Sequence, residues 1–493
     1  MVTHVKYYSS LLFVGVILTL LSACSDDEST SAGHITFYNA SNNSPALYLY
    51  IDDDLSDESY EYVKALTNIS FADIGRGTSI DAATYHYELS RKDDDSSARD
   101  DLLLIEQGQV GISGLYETLL VLTGDITTPM LTEFQYPIIE DAEDVDEGRA
   151  NVRFIQTMEY SSNIEVYISE ENESFEQAEF VSTMSNLSLS DNIKFDYGYY
   201  LLYLVDSNTS EVLFESDAFY LTSAVQYVLS IRQNTGVGSS PFMVDKLYNS
   251  TVETLSEVDA ESSLALYNAV PEHELLPSYS GLLDGSFSNK DTQYQYSGIA
   301  YQAMSNEQVL ESGDYALSVS PNQQEDAIVE NLFVSLDSNS KQTLFLYLEE
   351  EYVDDDGDGD YDENNDGVVD EISLALRTLF VTNSRSQNIY EHTVSVINLI
   401  DTDDISSVKV YFVRNNETIA SADYLKNASY ALPTNITLPN NSYDVYVIGK
   451  QGTSDVLIAN ETLTLNEESP ELFLLLTKDY ANDSQYSLTF TSQ

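Results

Sequence analysis

Residues 35–41 read Ile-Thr-Phe-Tyr-Asn-Ala-Ser, and this ITFYNAS stretch returns three times along the chain. Its counterparts are VRFIQTM (152–158), LALYNAV (264–270) and VSVINLI (394–400), which sets Phe37, Phe154, Leu266 and Val396 apart by 117, 112 and 130 residues. A second marker keeps the same spacing: Tyr85, Tyr200, Tyr315 and Tyr443 follow those openings by 48, 46, 49 and 47 residues. A third lies in ETLLVLTG (117–124), QYVLSIRQ (226–233), QTLFLYLE (342–349) and ELFLLLTK (471–478). There Leu120, Leu229, Phe345 and Leu474 come a further 35, 29, 30 and 31 residues on. Three markers in step through four units define an internal repeat. Each unit closes with one more run, MLTEFQYPI (130–138), SPFMVDKLY (240–248), ISLALRTLFV (372–381) or YSLTFTSQ (486–493). Such a run pairs with the one before it as a hairpin whose loop is free to vary.

The apolar runs are short and many alternate, as in ALYLYI (46–51) and SVKVYF (407–412). Alternation sends one side chain into a core and the next into solvent, the pattern of a half-buried strand. Long stretches of 3.6-residue period with caps are scarce. The expected class is therefore all-β: four tandem immunoglobulin-like antiparallel β-sandwich domains of about seven strands each. The expected units are residues 34–139, 150–248, 262–382 and 392–493, with the acidic run 140–147 as a linker between the first two. The repeated tyrosine is expected to be a core or corner residue holding two strands together.

Composition agrees. Of 493 residues, 42% are hydrophobic, enough for packed domains, and the length exceeds what one core can organise. There are 37 Tyr, 18 Phe and no Trp, and aromatic side chains of this kind favour strands. The net charge of -63 repels nucleic acid and anionic headgroups, so no nucleic-acid partner is expected. One cysteine, Cys24, allows no intramolecular disulfide.

Residues 1–24, MVTHVKYYSSLLFVGVILTLLSAC, join a basic Lys6 to an apolar run, Leu11–Leu21, too short to span a bilayer. The run ends in Leu21-Ser22-Ala23-Cys24, which resembles the lipobox of bacterial lipoproteins. An ordinary signal peptide with a stray cysteine is the alternative, but the sole cysteine stands where a lipobox needs it. The resemblance implies a signal peptide over residues 1–23, lipidation at Cys24 and a polar tether over 24–33. It also implies an outer-membrane location, with Ser25 rather than Asp following the cysteine. The membrane is then a partner through the lipid, and the domains face either the periplasm or the cell surface.

The openings resemble the domain of unknown function 4397 family of secreted and lipoprotein repeats. Asn39-Ala40-Ser41, Pro45 and the alternating LYLYIDD (47–53) match its first strands, Gly313-Asp314-Tyr315 its Gly-x-Tyr strand, and Tyr116–Gly124 its Tyr-Thr-apolar strand. The family's opening Arg survives only as Arg153 and its His is absent. The resemblance implies extracytoplasmic β-sandwich repeats and supplies no reaction.

The third-to-fourth step exceeds the one before it by 18 residues, the length of the insert Asp354–Glu371, DDDGDGDYDENNDGVVDE. It carries eight Asp, two Glu and no Lys or Arg. Calcium takes six to eight hard oxygen ligands, and a loop of the form Asp-x-Asp-x-Asp-Gly-x-x-Asp presents them from alternate residues around a glycine turn. The form occurs twice: Asp354, Asp356, Asp358, Gly359, the Asp360 carbonyl and Asp362, then Asp362, Asn364, Asp366, Gly367, the Val368 carbonyl and Asp370. These loops resemble those of thrombospondin type 3 repeats and, more loosely, EF-hands. The twelfth places are Asn365 and Ser373 rather than acids, so the coordination is either incomplete or filled by water. The competing reading is a solvated acidic loop. Calcium is the expected cofactor, and the insert is expected to lengthen the last hairpin of the third unit.

The five His are scattered, with no metal-ligand spacing, no nucleophile elbow and no phosphate-binding glycine loop. No catalytic residue is singled out. The expectation is a non-enzymatic envelope protein that binds a protein or glycan through Tyr-rich loops, or serves as a scaffold. A plain spacer and a secreted glycan-processing enzyme are the rival readings.

Overall fold

The structure, a computed structural model, describes residues 31–54, 62–92, 96, 98–223, 225–324, 326–354, 357, 361–362, 369, 371–402, 405–479 and 485–493. The protein is all-β, built of eight sheets in four sandwiches. In the first unit the strands are β1 (Gly33–Asn39), β2 (Leu47–Asp52), β3 (Lys64–Ile69), β4 (Asp73–Ile80), β5 (Ala83–Arg91), β6 (Leu103–Ile112), β7 (Tyr116–Thr123) and β8 (Met130–Pro137). They form one sheet in the order β4-β1-β7-β8 and another in the order β3-β2-β5-β6.

The other units repeat both orders with local edits. The second adds Thr251–Leu255 beyond its eighth strand and splits its sixth into Val212–Glu215 and Phe219–Leu221. The third splits its fourth strand into Ala303–Met304 and Gln308–Leu310. Each unit therefore carries eight strand positions rather than the expected seven. Pairing is not wholly antiparallel either, because the first strand of every unit runs parallel to the seventh. No helix among the described residues is long and apolar enough to cross a membrane.

The marker tyrosines hold one corner four times over. Each is the second or third residue of its unit's fifth strand, and its hydroxyl donates to the carbonyl four residues upstream. Tyr85 bonds Asp81 at 2.9 Å, and Tyr200, Tyr315 and Tyr443 bond Asp196, Glu311 and Pro439 at 2.8 Å. The ring packs in the core while the hydroxyl satisfies a carbonyl at the sheet-to-sheet turn, a tyrosine corner. The opening asparagines do related work. Asn39 Nδ2 donates to the Ile69 carbonyl (3.2 Å), Asn268 to Ile299 (2.9 Å) and Asn398 to Ala428 (2.9 Å). The Oδ1 of each accepts the amide two residues on, at Ser41, Val270 and Ile400. Each clamps the end of the first strand to the third or to the turn that follows it.

In the third unit the strand register differs by one residue from the sequence markers. Phe37 pairs with Leu120, Phe154 with Leu229 and Val396 with Leu474, but Leu266 pairs with Leu344 rather than Phe345. A one-residue slip exchanges the two faces of a strand. Leu344 therefore faces the third sandwich's own core, while Phe345 points out of it.

That outward face is not wet. The first strands are buried almost throughout, and so are most positions of the seventh strands. The reason is a second set of cores between units. Tyr38, Leu119, Val121 and Tyr136 of the first unit pack on Ile155, Val228 and Leu247 of the second. Tyr267, Phe345, Tyr347 and Val381 of the third pack on Ile397, Leu399, Phe473 and Leu475 of the fourth. The expected alternation of core and solvent fails for these sheets, whose strands are near-continuous apolar runs because both faces are covered.

Polar contacts fix the first seam. Asp245, fully buried, accepts Tyr38 Oη from the other unit at 2.7 Å, Arg232 Nε at 2.6 Å and Nη2 at 3.2 Å, and Thr254 Oγ1 at 2.7 Å. Burial, then the Asp245 charge, pushes the Tyr38 phenol well above its ordinary value. The run 140–147, expected as a linker between the first two units, contains a short helix, Ala142–Glu147. Asp141 caps its start, Gly148 ends it in the left-handed region (φ 68°), and acids occupy its first turn.

The pairs also meet each other. Ile389 and Tyr390, entering the fourth unit, pack on the core of the first, and the Arg91 guanidinium lies 3.8 Å from the centre of the Tyr390 ring. The Val237 amide of the second unit donates to Asn339 Oδ1 of the third at 3.0 Å. The four sandwiches thus close on one another rather than following end to end.

Candidate functional site

The acidic insert springs from the longest hairpin among the described residues. Lys341–Tyr352 and Ile372–Thr382 pair without a break from Gln342 opposite Thr382 to Tyr352 opposite Ile372. Their inner side chains, Leu344, Leu346, Leu348, Leu374 and Leu376, belong to the third core, while Phe345 and Tyr347 lie in the seam with the fourth unit. Farther out, Arg377 bridges Glu349 and Glu351.

At the base of the insert, the Val353 amide donates to the Glu371 carbonyl at 3.1 Å and the Glu371 amide to the Tyr361 carbonyl at 3.2 Å. The Tyr352 and Tyr361 rings lie 5.6 Å apart. Of the expected ligands, Asp354 and Asp362 are described. Asp354 Oδ1 accepts the amide of Gly357, whose φ of 80° suits glycine, at 2.5 Å. Asp356, Asp358, Asp360, Asn364, Asp366, Val368 and Asp370 lie outside the described residues, as does Cys24. Among the described residues no three Asp, Glu, His or Cys side chains converge as a metal-ligand group.

Among the described residues six tyrosines are exposed, and two of them, Tyr62 and Tyr361, lie outside the strands. Tyr116, Tyr199, Tyr220 and Tyr352 sit on strands, and Tyr199 stacks on Tyr220 with ring centres 4.5 Å apart.

The fold also assembles a cluster that sequence spacing did not reveal. Glu117 accepts Thr36 Oγ1 at 2.7 Å and Arg76 Nη2 at 2.8 Å, and the same Nη2 lies 2.9 Å from His34 Nδ1. The group borders a cavity of about 260 Å³ beside the first seam. A guanidinium only donates, so Nδ1 is the acceptor there. The Thr36 proton is directed at Glu117 and not at the imidazole, so this is no nucleophile–base pair. The cluster ties β4 and β1 to β7. The only sequence signal for it was three polar residues inside otherwise apolar runs.

No family model matches the chain, and neither does any curated protein. Among solved structures, the chain is similar to the Bacillus anthracis TIE protein at 8% identity, over 96% of this chain and 78% of that one, with a TM-score of 0.15. It is similar to BcpA, the major pilin subunit of Bacillus cereus, at 8% identity, over 67% and 99%, with a TM-score of 0.14. A DUF3823 family protein from Bacteroides ovatus shares 10% identity over 42% and 100%, with a TM-score of 0.13. Superpositions that weak bear no weight, and the fold rests on the sheets themselves.

Proposed function

We propose that the chain is a non-enzymatic outer-membrane lipoprotein, anchored at Cys24, whose four sandwiches form a scaffold presenting a calcium-ordered tip. The observation that carries this reading is the hairpin of the third unit. The strands that lead to the insert are fixed on one face by the sandwich core and on the other by the seam with the fourth unit. A loop on so firm a base is placed to be presented. Its ten carboxylates without a single cationic residue repel one another, and a divalent ion relieves that repulsion. Coordination comes from the two phased ligand sets, sharing Asp362. The affinity expected is that of extracellular modules, about 10⁻⁴–10⁻³ M. The unit openings continue to point to repeats akin to the domain of unknown function 4397.

Two experiments test the reading separately. Calcium titrated into the protein should protect residues 350–372 from proteolysis and raise the melting temperature, and Asp362→Asn should weaken both effects. Protection equal with magnesium, or none with calcium, overturns the metal site. Labelled palmitate should enter the wild-type chain and not Cys24→Ser. Equal labelling, or none in either, overturns the anchor.

A further inference from the structure

We propose that the cavity where the first and fourth units meet is a binding site for a small hydroxy-carboxylate of the sugar-acid class, with its carboxylate on Arg385. The inference goes beyond the scaffold reading and depends on neither the anchor nor the calcium tip.

The cavity measures about 320 Å³, within the range of small-molecule sites. One wall is the turn at Ser70 and Phe71 of the first unit, and the other is the segment that enters the fourth, with Arg385, Asn388 and Glu391. Thr437 adds a hydroxyl from the fourth sandwich.

Arg385 carries the inference; Arg153 also lacks a carboxylate contact among the described residues and has its cation disfavoured by burial, but it does not line this cavity. The chain has 83 acidic and 20 basic residues, and Arg76, Arg99, Arg232, Arg377 and Arg414 each meet at least one carboxylate. Among the described residues Arg385 meets none. Its closest polar partner is Asn339 Oδ1, 3.5 Å from Nη1, and that oxygen already accepts the Val237 amide. Burial, and then the charge of Arg232, disfavour its cation. Asp245, the carboxylate nearest that charge, is taken by Arg232 itself. A guanidinium has five donors in a planar fork that fits a carboxylate with two parallel hydrogen bonds. In a half-buried place that fork is costly to leave without an anion.

The rest of the wall selects what the anion must carry. Glu391 holds its place by accepting the Ala46 amide at 3.3 Å, and it offers acceptor capacity to the cavity. That carboxylate on the cavity wall, out of contact with Arg385, disfavours a multiply charged anion and favours ligand hydroxyls that donate. Asn388 Oδ1 accepts the Tyr390 amide at 2.9 Å, which turns its NH₂ into a donor for a ligand oxygen. Ser70 and Thr437 supply further hydroxyls, and Phe71 an apolar face. One carboxylate with several hydroxyls on a compact ring meets all of these groups. The chain's net charge opposes anions at long range, but that field is screened beyond about 8 Å at physiological ionic strength, while the fork acts at contact.

Calorimetric titration of the full chain in detergent, at fixed calcium, tests the site with three probes: D-glucuronate, D-glucose and inorganic phosphate. Glucuronate should bind one site with an affinity in the millimolar range or tighter, and glucose and phosphate at least about tenfold more weakly. Arg385→Gln should lose glucuronate binding by about tenfold or more while melting no lower than the parent, since it removes an uncompensated charge. Thr437→Val, a conservative change on an exposed strand position, should weaken binding a few-fold. The proposal is overturned if glucuronate gives no heat at roughly 10 mM. It is equally overturned if glucose or phosphate binds as tightly, or if Arg385→Gln binds unchanged.

Discussion

Asp245 is the sharpest place to perturb the first seam. Its carboxylate is completely buried and takes four hydrogen bonds, one of them from Tyr38 in the neighbouring sandwich. Asp245→Asn keeps the shape, removes the charge and leaves the buried Arg232 guanidinium without its counter-ion. Breaking a buried pair from one side costs about 3–5 kcal/mol. Tyr38→Phe deletes only the bond that crosses the seam. A hydrogen bond to a charged group is worth about 1.5–3 kcal/mol, and Asp245 keeps its other donors, so the low end applies. Because the two side chains share that bond, the double variant should lose less than the sum of the singles, by about 1 kcal/mol or more. Urea unfolding followed by far-ultraviolet dichroism and tyrosine fluorescence reads all three, as the chain has no tryptophan. An Asp245→Asn cost below about 1 kcal/mol, or strict additivity, would refute the reasoning.

Phe473 meets Phe345 edge-on across the second seam at 5.0 Å, so Phe473→Ala should cost about 3–5 kcal/mol in calorimetry, where an outward-facing residue of a separate sandwich would cost almost nothing. Tyr443→Phe removes a corner bond and strands the Pro439 carbonyl, which should lower stability by about 1–2 kcal/mol in urea unfolding. Glu471 is buried, its carboxyl pushed up to about 7 mainly by desolvation, with the Glu391 charge adding to it and the Thr393 amide working against it. A raised carboxyl pKa means the folded state holds its proton longer than the unfolded one, so this group's contribution falls as pH rises from about 4.5 to 7 and is level above that. Glu471→Gln should therefore gain on the wild type across that window, by about 3 kcal/mol in total, and a pH-independent difference between the two unfolding curves would count against it.

The fold was legible where local chemistry repeats. The tyrosine near the start of each fifth strand and the asparagine near the end of three first strands recur in the sequence because each satisfies backbone groups at the same place in the sandwich. The parallel pairing of first and seventh strands was not legible, since a buried strand reads the same beside either kind of neighbour. The seams were half visible. ITFYN and TLLVLT are apolar on both faces, which a half-exposed strand is not, and the surplus was Tyr38, Leu119 and Val121 reaching for another unit. In the third unit the run LFLYLEE is apolar at every early position, so its register could slip by one, and Phe345 took the place of Leu344. The proposed calcium ligands are legible as spacing because they belong to one stretch of sequence. Arg385 was invisible because its neighbours come from parts of the chain hundreds of residues apart.

Small-angle scattering from residues 31–493 tests most directly whether the four sandwiches close on one another. A single closed body of this length has a radius of gyration of about 23 Å. The account predicts a value near that, unchanged by dilution and raised by Asp245→Asn together with Phe473→Ala. A radius roughly twice as large, the result for four sandwiches strung end to end, would contradict it.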